Sequence, residues 1–242
     1  NKVLTSHATT WRGTGANGFP NFKKQTKRCR PYSDMKALNE AWQLLLKQKS
    51  VTVDAAKLDL IWTGRELLGN LFGYEKAEFD SAYVAADTVK MHEKAYIMRA
   101  LLTDLDMLNA QHPFCTVDKW IDQAREFGQT PEVKDYYEMN ARRLITTWGG
   151  DLNDYAVRNY SGLIANYHAK RWEIYIDEAF RSVRTGTPFR DKERIKATNE
   201  FQLSFADKHG EQFPKYQGIE LLSFSRALAS KYATELQSWL TK

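Results

Sequence analysis

The sequence predicts an all-α protein, an irregular bundle of about eight helices in which long neighbours pack antiparallel. Proline is absent from residues 32–112 and again from residues 132–187, and helix interiors exclude proline. Apolar residues recur at intervals of three and four, which is the helical period. No segment shows the alternation of Val, Ile or Thr that is typical of a half-buried strand.

Apolar spacing defines the first three helices. Ser33 is the expected N-cap of the first one, and Pro113 is expected to follow the end of the third. The three apolar faces repeat with the helical period at Met35, Leu38, Trp42, Leu45 and Leu46, then at Leu60, Ile61, Leu67, Leu68, Leu71 and Phe72, and then at Val89, Tyr96, Ile97, Leu101, Leu105 and Leu108.

Capping signals divide the next part of the chain. Thr116 is expected to cap a short helix that ends near Gly128. Thr130-Pro131-Glu132 combines a capping hydroxyl, a proline at the first helical position and an early carboxylate, and therefore predicts a helix start. This helix is expected to run to about Trp148 and to end at Gly149-Gly150.

Three further helices complete the prediction. The first begins near Asn153, ends at Gly186 and bends or breaks near His168, because its apolar phase shifts there. The last two cover roughly residues 192–209 and 219–240.

The positive charge is concentrated at one end of the chain. The 242 residues carry a net charge of +5, but residues 1–31 hold seven Lys or Arg and no Asp or Glu, while the remainder carries 28 basic and 30 acidic residues. We therefore predict a basic, irregular N-terminal arm over residues 1–31 and a helical domain over residues 32–242. Because this domain offers no basic face, we expect no nucleic-acid partner. The arm leaves one alternative function open, a non-catalytic helical interaction module that binds nucleic acid.

Several protein classes are disfavoured by the sequence. No apolar run approaches the roughly 18 to 20 residues that span a bilayer, so we expect no membrane partner. The start lacks both Met and a signal segment, so we interpret the chain as a fragment. Cys29 and Cys115 could form one bridge or remain free thiols. The five histidines show no metal-ligand spacing, so neither a metal nor a cofactor is expected.

Residues 147–172, TWGGDLNDYAVRNYSGLIANYHAKRW, contain the candidate site. Trp148 precedes two glycines, and an exposed indole is a surface on which a sugar ring stacks. Carboxylate, amide and phenol groups suited to sugar hydroxyls follow at Asp151, Asn153, Asp154 and Tyr155. The structural alternatives are that Trp148 is a core residue closing a helix with Gly149 as its cap, and that Asp151 and Asp154 are a capping pair.

The same stretch resembles the signature region of glycoside hydrolase family 89. The matching elements are Trp148-Gly149, Asp154-Tyr155-Ala156, Gly162-Leu163, Ala165-Asn166-Tyr167 and Arg171-Trp172. Similar residues elsewhere are Arg30-Pro31, Ala41-Trp42-Gln43-Leu44-Leu45-Leu46 and Gly186-Thr187-Pro188-Phe189. The resemblance runs from about Arg30 to the C-terminus. Two positions depart from relatives: the loop after Trp148 is shorter than in some of them, and Lys170 stands where a relative can carry proline.

The resemblance implies a division of labour. Members of the family are retaining exo-glycosidases that remove terminal alpha-linked N-acetylglucosamine with two glutamates, which retaining chemistry places about 5 Å apart. Those glutamates lie on a barrel domain that precedes the helical domain, so we expect no catalytic residue in this chain. Its partners would be the upstream barrel domain of the same polypeptide and a glycan with terminal alpha-linked N-acetylglucosamine. Its location would be secreted, periplasmic or cell-surface in a bacterium and lysosomal in an animal.

Within this family, the helical domain would form a wall of the substrate pocket. Trp148 and Tyr155 are the first candidates for substrate contact, followed by Asn153 and Asp154. His168 and Arg171 are further candidates, although an arginine beside Trp172 is more often a buried ion-pair or stacking residue. A carbohydrate-binding module remains a third interpretation, but such modules usually carry their aromatic platforms on a sheet.

Overall fold

The structure is a computed structural model that describes residue 16, residues 34–148 and residues 158–241. These residues form nine α-helices together with one short 3-10 turn, Pro113–Cys115, and one π turn, Ile164–His168. The helices, in chain order, are α1 Met35–Leu46, α2 Asp54–Val84, α3 Thr88–Asn109, α4 Val117–Arg125, α5 Pro131–Leu144, α6 Ala169–Thr185, α7 Asp191–Ala206, α8 Leu221–Lys231 and α9 Ala233–Leu240.

The all-α prediction is confirmed. Over the described ranges the only β pairing is an isolated bridge between Thr116 and Ser161. Thr130 caps α5 as predicted, and its hydroxyl accepts a hydrogen bond from the Val133 amide. The N-cap of α1 is Asp34 instead of Ser33, since the Asp34 carboxylate accepts the Ala37 amide at 3.1 Å.

The long helices α2 and α3 form the most extensive helix pair and carry much of the core. The predicted apolar face of α3 is correct at its C-terminal end, where Leu101, Leu105 and Leu108 are buried. It is wrong at the beginning, where Val89 and Tyr96 are 79% and 72% exposed. The buried stripe there consists of Met91, Ala95 and Met98, which stay in phase with Leu101 and Leu105 at the period of 3.6 residues.

The last predicted helix is two helices that meet at Tyr232. The backbone at Tyr232 leaves the ideal α-helical conformation, with φ −104° and ψ 16°. Its side chain is buried, and its hydroxyl donates to Asp104 Oδ2 at 2.6 Å. The break is therefore held by a polar contact to α3.

The connection between α5 and α6 differs most from the prediction. α5 ends at Leu144, four residues earlier than expected. Residues 158–162 are not helical, so the prediction of a continuous helix from Asn153 is wrong over them. The expected irregularity near His168 is confirmed, because the π turn ends at His168 and α6 begins at the next residue.

The apolar core has two parts, and the segment 158–168 lies where they meet. The larger cluster packs around α2 and α3 and contains Trp42, Phe72 and Trp172. The smaller cluster comprises Val117, Ile121, Ile145, Leu163, Tyr167, Phe205 and Phe213. Ile164 belongs to the larger cluster, whereas its neighbour Leu163 belongs to the smaller one. The candidate site residues in this segment are thus anchored on both sides.

Two further features concern the predictions about membrane-spanning segments and cysteine pairing. In the part of the chain that the structure describes, no helix combines the length and apolarity that a bilayer crossing requires. Cys115 is a buried free thiol, and burial raises its pKa. Cys29 lies outside the described residues.

Candidate functional site

Trp148 stands at the surface, at the end of the turn that follows α5. Its side chain is 44% exposed, so it is not the buried, helix-closing residue of the structural alternative. Its amide donates to the Arg143 carbonyl at 2.6 Å, and its φ of +56° lies in the left-handed region. Non-glycine residues rarely adopt this conformation. The turn thus holds an indole in a strained position where part of its surface remains open to solvent.

Three other predicted contact residues, Asn153, Asp154 and Tyr155, lie outside the described residues, as do Gly149 and Asp151. Their role in sugar contact and the proposed capping pair therefore stay predictions.

Two buried polar groups border the segment 149–157. The Thr147 hydroxyl precedes it, and the Asn159 amide follows it. Thr147 is 1% exposed and Asn159 is 9% exposed, yet among the described residues neither side chain has a hydrogen-bond partner. Buried polar atoms are nearly always hydrogen-bonded in folded proteins. Both ends of the segment therefore carry unused hydrogen-bonding capacity.

Asp106 of α3 fixes the beginning of the helix that follows. This buried carboxylate accepts the Gly162 amide at 2.7 Å and the Ala165 amide at 3.0 Å, both on Oδ1. Its other oxygen accepts the Tyr216 hydroxyl at 3.0 Å and the Ser161 hydroxyl at 3.3 Å. Burial raises the pKa of Asp106 despite these four donors. Asp106 was not among the predicted site residues, because its only signal in the sequence is an acidic residue directly after Leu105 on the buried face of α3.

The backbone conformation at residue 162 explains the glycine in the Gly162-Leu163 element of the family signature. Its φ is +82°, which favours glycine. A Cβ at this position would lie 2.7 Å from Val117 Cγ1 and 2.9 Å from Phe213 Cβ. The chain can therefore approach the smaller apolar cluster this closely only without a side chain at residue 162.

His168 and Arg171 are buried, at 1% and 0% exposure. His168 Nε2 lies 2.9 Å from the Arg158 carbonyl oxygen, and its Nδ1 lies 3.2 Å from Arg171 Nη1. The Arg171 guanidinium also stacks over the Tyr167 ring at 4.9 Å. Burial, assisted by the charge of Arg171, lowers the His168 pKa to about 3. A direct sugar contact by this pair stays a prediction, and the observed burial favours a role in supporting residues 158–168.

The described residues of the site can bind a ligand and hold it in position. It offers an exposed indole and unpartnered hydroxyl and amide groups next to a rigid helix start. Across the described ranges, no group of three or more His, Cys, Asp or Glu residues is arranged to hold a metal ion.

Comparison with known proteins identifies the family to which the chain belongs. Residues 5–231 match the family model described as the alpha-N-acetylglucosaminidase (NAGLU) C-terminal domain. Human alpha-N-acetylglucosaminidase is 30% identical over 199 residues, which are 80% of this chain and 26% of the human protein.

Solved structures show the same fold. A family 89 glycoside hydrolase from Clostridium perfringens in complex with 2-acetamido-1,2-dideoxynojirmycin has a TM-score of 0.75 at 22% identity, covering 90% of this chain and 26% of that chain. The Clostridium perfringens enzyme in complex with its substrate GlcNAc-alpha-1,4-galactose has a TM-score of 0.72 at 21% identity, covering 89% and 26%. The chain thus spans about a quarter of the length of these relatives. It belongs to the family of alpha-N-acetylglucosaminidase C-terminal domains.

Proposed function

We propose that this chain is the helical C-terminal domain of an exo-acting, retaining alpha-N-acetylglucosaminidase and forms one wall of its substrate pocket. Membership of the C-terminal domain family supports this proposal. So do the names of its relatives, among them an enzyme solved with its substrate GlcNAc-alpha-1,4-galactose.

In this proposal, bond cleavage occurs on polypeptide outside the chain. The chain matches only 26% of the human relative, which leaves ample length for a barrel domain. The resemblance to family 89 assigns the nucleophile and the general acid/base to two glutamates of that barrel. The helical wall would exclude water and hold the N-acetyl sugar, and so align the bond to be cleaved with those carboxylates.

The observation that carries the proposal is the placement of Trp148. A tryptophan that is 44% exposed and held at a φ of +56° is difficult to explain by packing alone. Strained backbone of this kind is enriched at ligand-binding sites. The Thr147 hydroxyl and the Asn159 amide add hydrogen-bonding capacity at both ends of the adjoining segment. An apolar face beside polar donors and acceptors is what a pyranose ring requires.

The test replaces Trp148 in the full-length protein that carries this chain. We expect Trp148→Gly to leave the melting temperature unchanged or slightly raised, because glycine tolerates the positive φ. Hydrolysis of an aryl alpha-N-acetylglucosaminide should fall by about ten-fold or more in kcat/KM, since a lost aromatic contact is worth on the order of 1 kcal/mol beyond its buried area.

Phe127→Ala serves as the matched control, because Phe127 is an aromatic residue that is 73% exposed in the connection between α4 and α5. It should retain full activity. The wall assignment would be refuted by full activity in Trp148→Gly. The division of labour would be refuted if this chain alone hydrolysed the aryl glycoside.

A further inference from the structure

Trp62 and Arg65 lie one turn apart on α2, beside the turn at Pro113–Cys115. The Trp62 side chain and the Arg65 guanidinium both lie close enough to the Cys115 thiol to lower its pKa, and Arg65 also lies close enough to Tyr160 to interact with it electrostatically. Tyr160 reaches this position because the Ser161 amide donates to the Cys115 carbonyl at 2.8 Å. Residues from three separate segments thus meet around Arg65.

Arg65 differs from Arg142 and Arg194, two buried arginines that each form a salt bridge. Arg142 pairs with Glu138 at 2.8 Å, and Arg194 pairs with Asp191 at 2.7 Å. Arg65 is partly buried, and burial lowers its pKa. Within residues 34–148 and 158–241 no carboxylate forms a salt bridge with it, although the charge of the neighbouring Glu66 raises its pKa and so offsets part of the effect of burial. A partly buried cation that no carboxylate bonds directly is costly, so we expect an anionic group from outside the described residues at this point.

Exposed aromatic side chains lie on two of the segments that meet around Arg65. Trp62 is 44% exposed and Phe114 is 63% exposed. Phe114 is held in place by stacking on His112, at 5.5 Å between ring centroids, and by Lys119 Nζ at 4.7 Å from its own centroid. Tryptophan, phenylalanine, tyrosine and arginine are the residue types enriched at the centre of protein–protein interfaces. We refer to Trp62, Arg65, Phe114 and Tyr160 together as the α2 face.

We propose that the α2 face is the docking surface for the polypeptide that precedes the C-terminal domain in its relatives, and that an aspartate or glutamate of that polypeptide pairs with Arg65. This inference rests on the proposed function for the existence of the upstream partner. The relatives contain such polypeptide, because this chain accounts for 26% of their length. The partner supplies a carboxylate for Arg65 and apolar side chains that cover Trp62 and Phe114.

Photo-cross-linking in the full-length protein tests the contact. Phe114 is replaced by p-benzoylphenylalanine, the protein is irradiated, and the joined peptides are identified by mass spectrometry. We expect an intramolecular cross-link from residue 114 to a peptide upstream of this chain. Val89, which is 79% exposed on α3, takes the same substitution as the matched control and should give no upstream product.

Arg65 is tested in the same system. Arg65→Gln should lower the yield of the upstream cross-link by at least about five-fold, whereas Arg65→Lys should retain more of it. The inference is overturned by a cross-link confined to residues 34–241, by one to a second copy of the protein, or by none.

An activity assay on the same preparation separates the two proposals. Glycoside hydrolysis without the upstream cross-link would refute the docking face alone. The upstream cross-link in a protein that hydrolyses no alpha-N-acetylglucosaminide would refute the proposed function alone.

Discussion

At the scale of single residues, Gly162 shows how one position links the signature segment to the core. We expect Gly162→Ala to lower the free energy of unfolding by about 3 kcal/mol. About 1 kcal/mol arises from an alanine at positive φ, and the rest from overpacking, since the new Cβ would lie 2.7 Å from Val117 Cγ1. Urea denaturation followed by tryptophan fluorescence measures the change.

Gly186 provides the matched control, because its φ is +62° but no atom lies within 4 Å of where a Cβ would be. Gly186→Ala should therefore lower the free energy of unfolding only by the contribution of an alanine at positive φ, about 1 kcal/mol. Equal losses in the two variants would show that crowding at Gly162 contributes nothing.

At the scale of elements, the π turn that leads into α6 couples stability to pH through His168. Burial lowers the His168 pKa from 6.5 to about 3. Between these values the unfolded chain binds a proton that the folded protein does not, so stability falls as the pH falls through this window. We expect the protonation of His168 in the unfolded chain to lower the free energy of unfolding by about 2 kcal/mol between pH 7 and pH 5.

The measurement is the free energy of unfolding from pH 7 to pH 5 for the native protein and for His168→Gln, which lacks the titrating ring. The slope attributable to His168 should disappear in the variant. His209→Gln removes an imidazole whose side chain is 60% exposed and should keep the native slope. An unchanged slope in His168→Gln would contradict the assignment.

The same elements show what the sequence could predict. Periodicity and caps predicted most of the helices because burial of a continuous stripe and satisfaction of the first-turn amides are local requirements. The non-helical path of residues 158–162 was missed because its hydrogen-bond partners are remote. Asp106 and Cys115 supply the contacts that hold it, and both lie more than 40 positions upstream. Trp148 could be proposed as a sugar contact, whereas its positive φ depends on a turn that no residue pattern indicated.

At the scale of the whole molecule, a residue of the predicted N-terminal arm belongs to the main core. Ala16 is 1% exposed and lies in the larger apolar cluster. Its carbonyl accepts the Trp172 indole N–H at 2.8 Å. Trp172 is also buried, with its ring centroid 4.9 Å from that of Phe72. Residue 16 therefore closes the core over the first turn of α6.

This contact leads to a test of the predicted boundary at residue 31. A chain that begins at residue 32 should be less stable than the full chain by about 2 to 4 kcal/mol. About 1 to 3 kcal/mol arises from a buried indole N–H without its acceptor, and the rest from exposed apolar surface. A chain that lacks only residues 1–11 retains Ala16 and should unfold at nearly the native urea midpoint. If the shorter chain unfolds at the native midpoint as well, residues 1–31 form an independent arm. If it loses stability as expected, the folding unit includes residue 16, and the boundary of the helical domain lies upstream of residue 32.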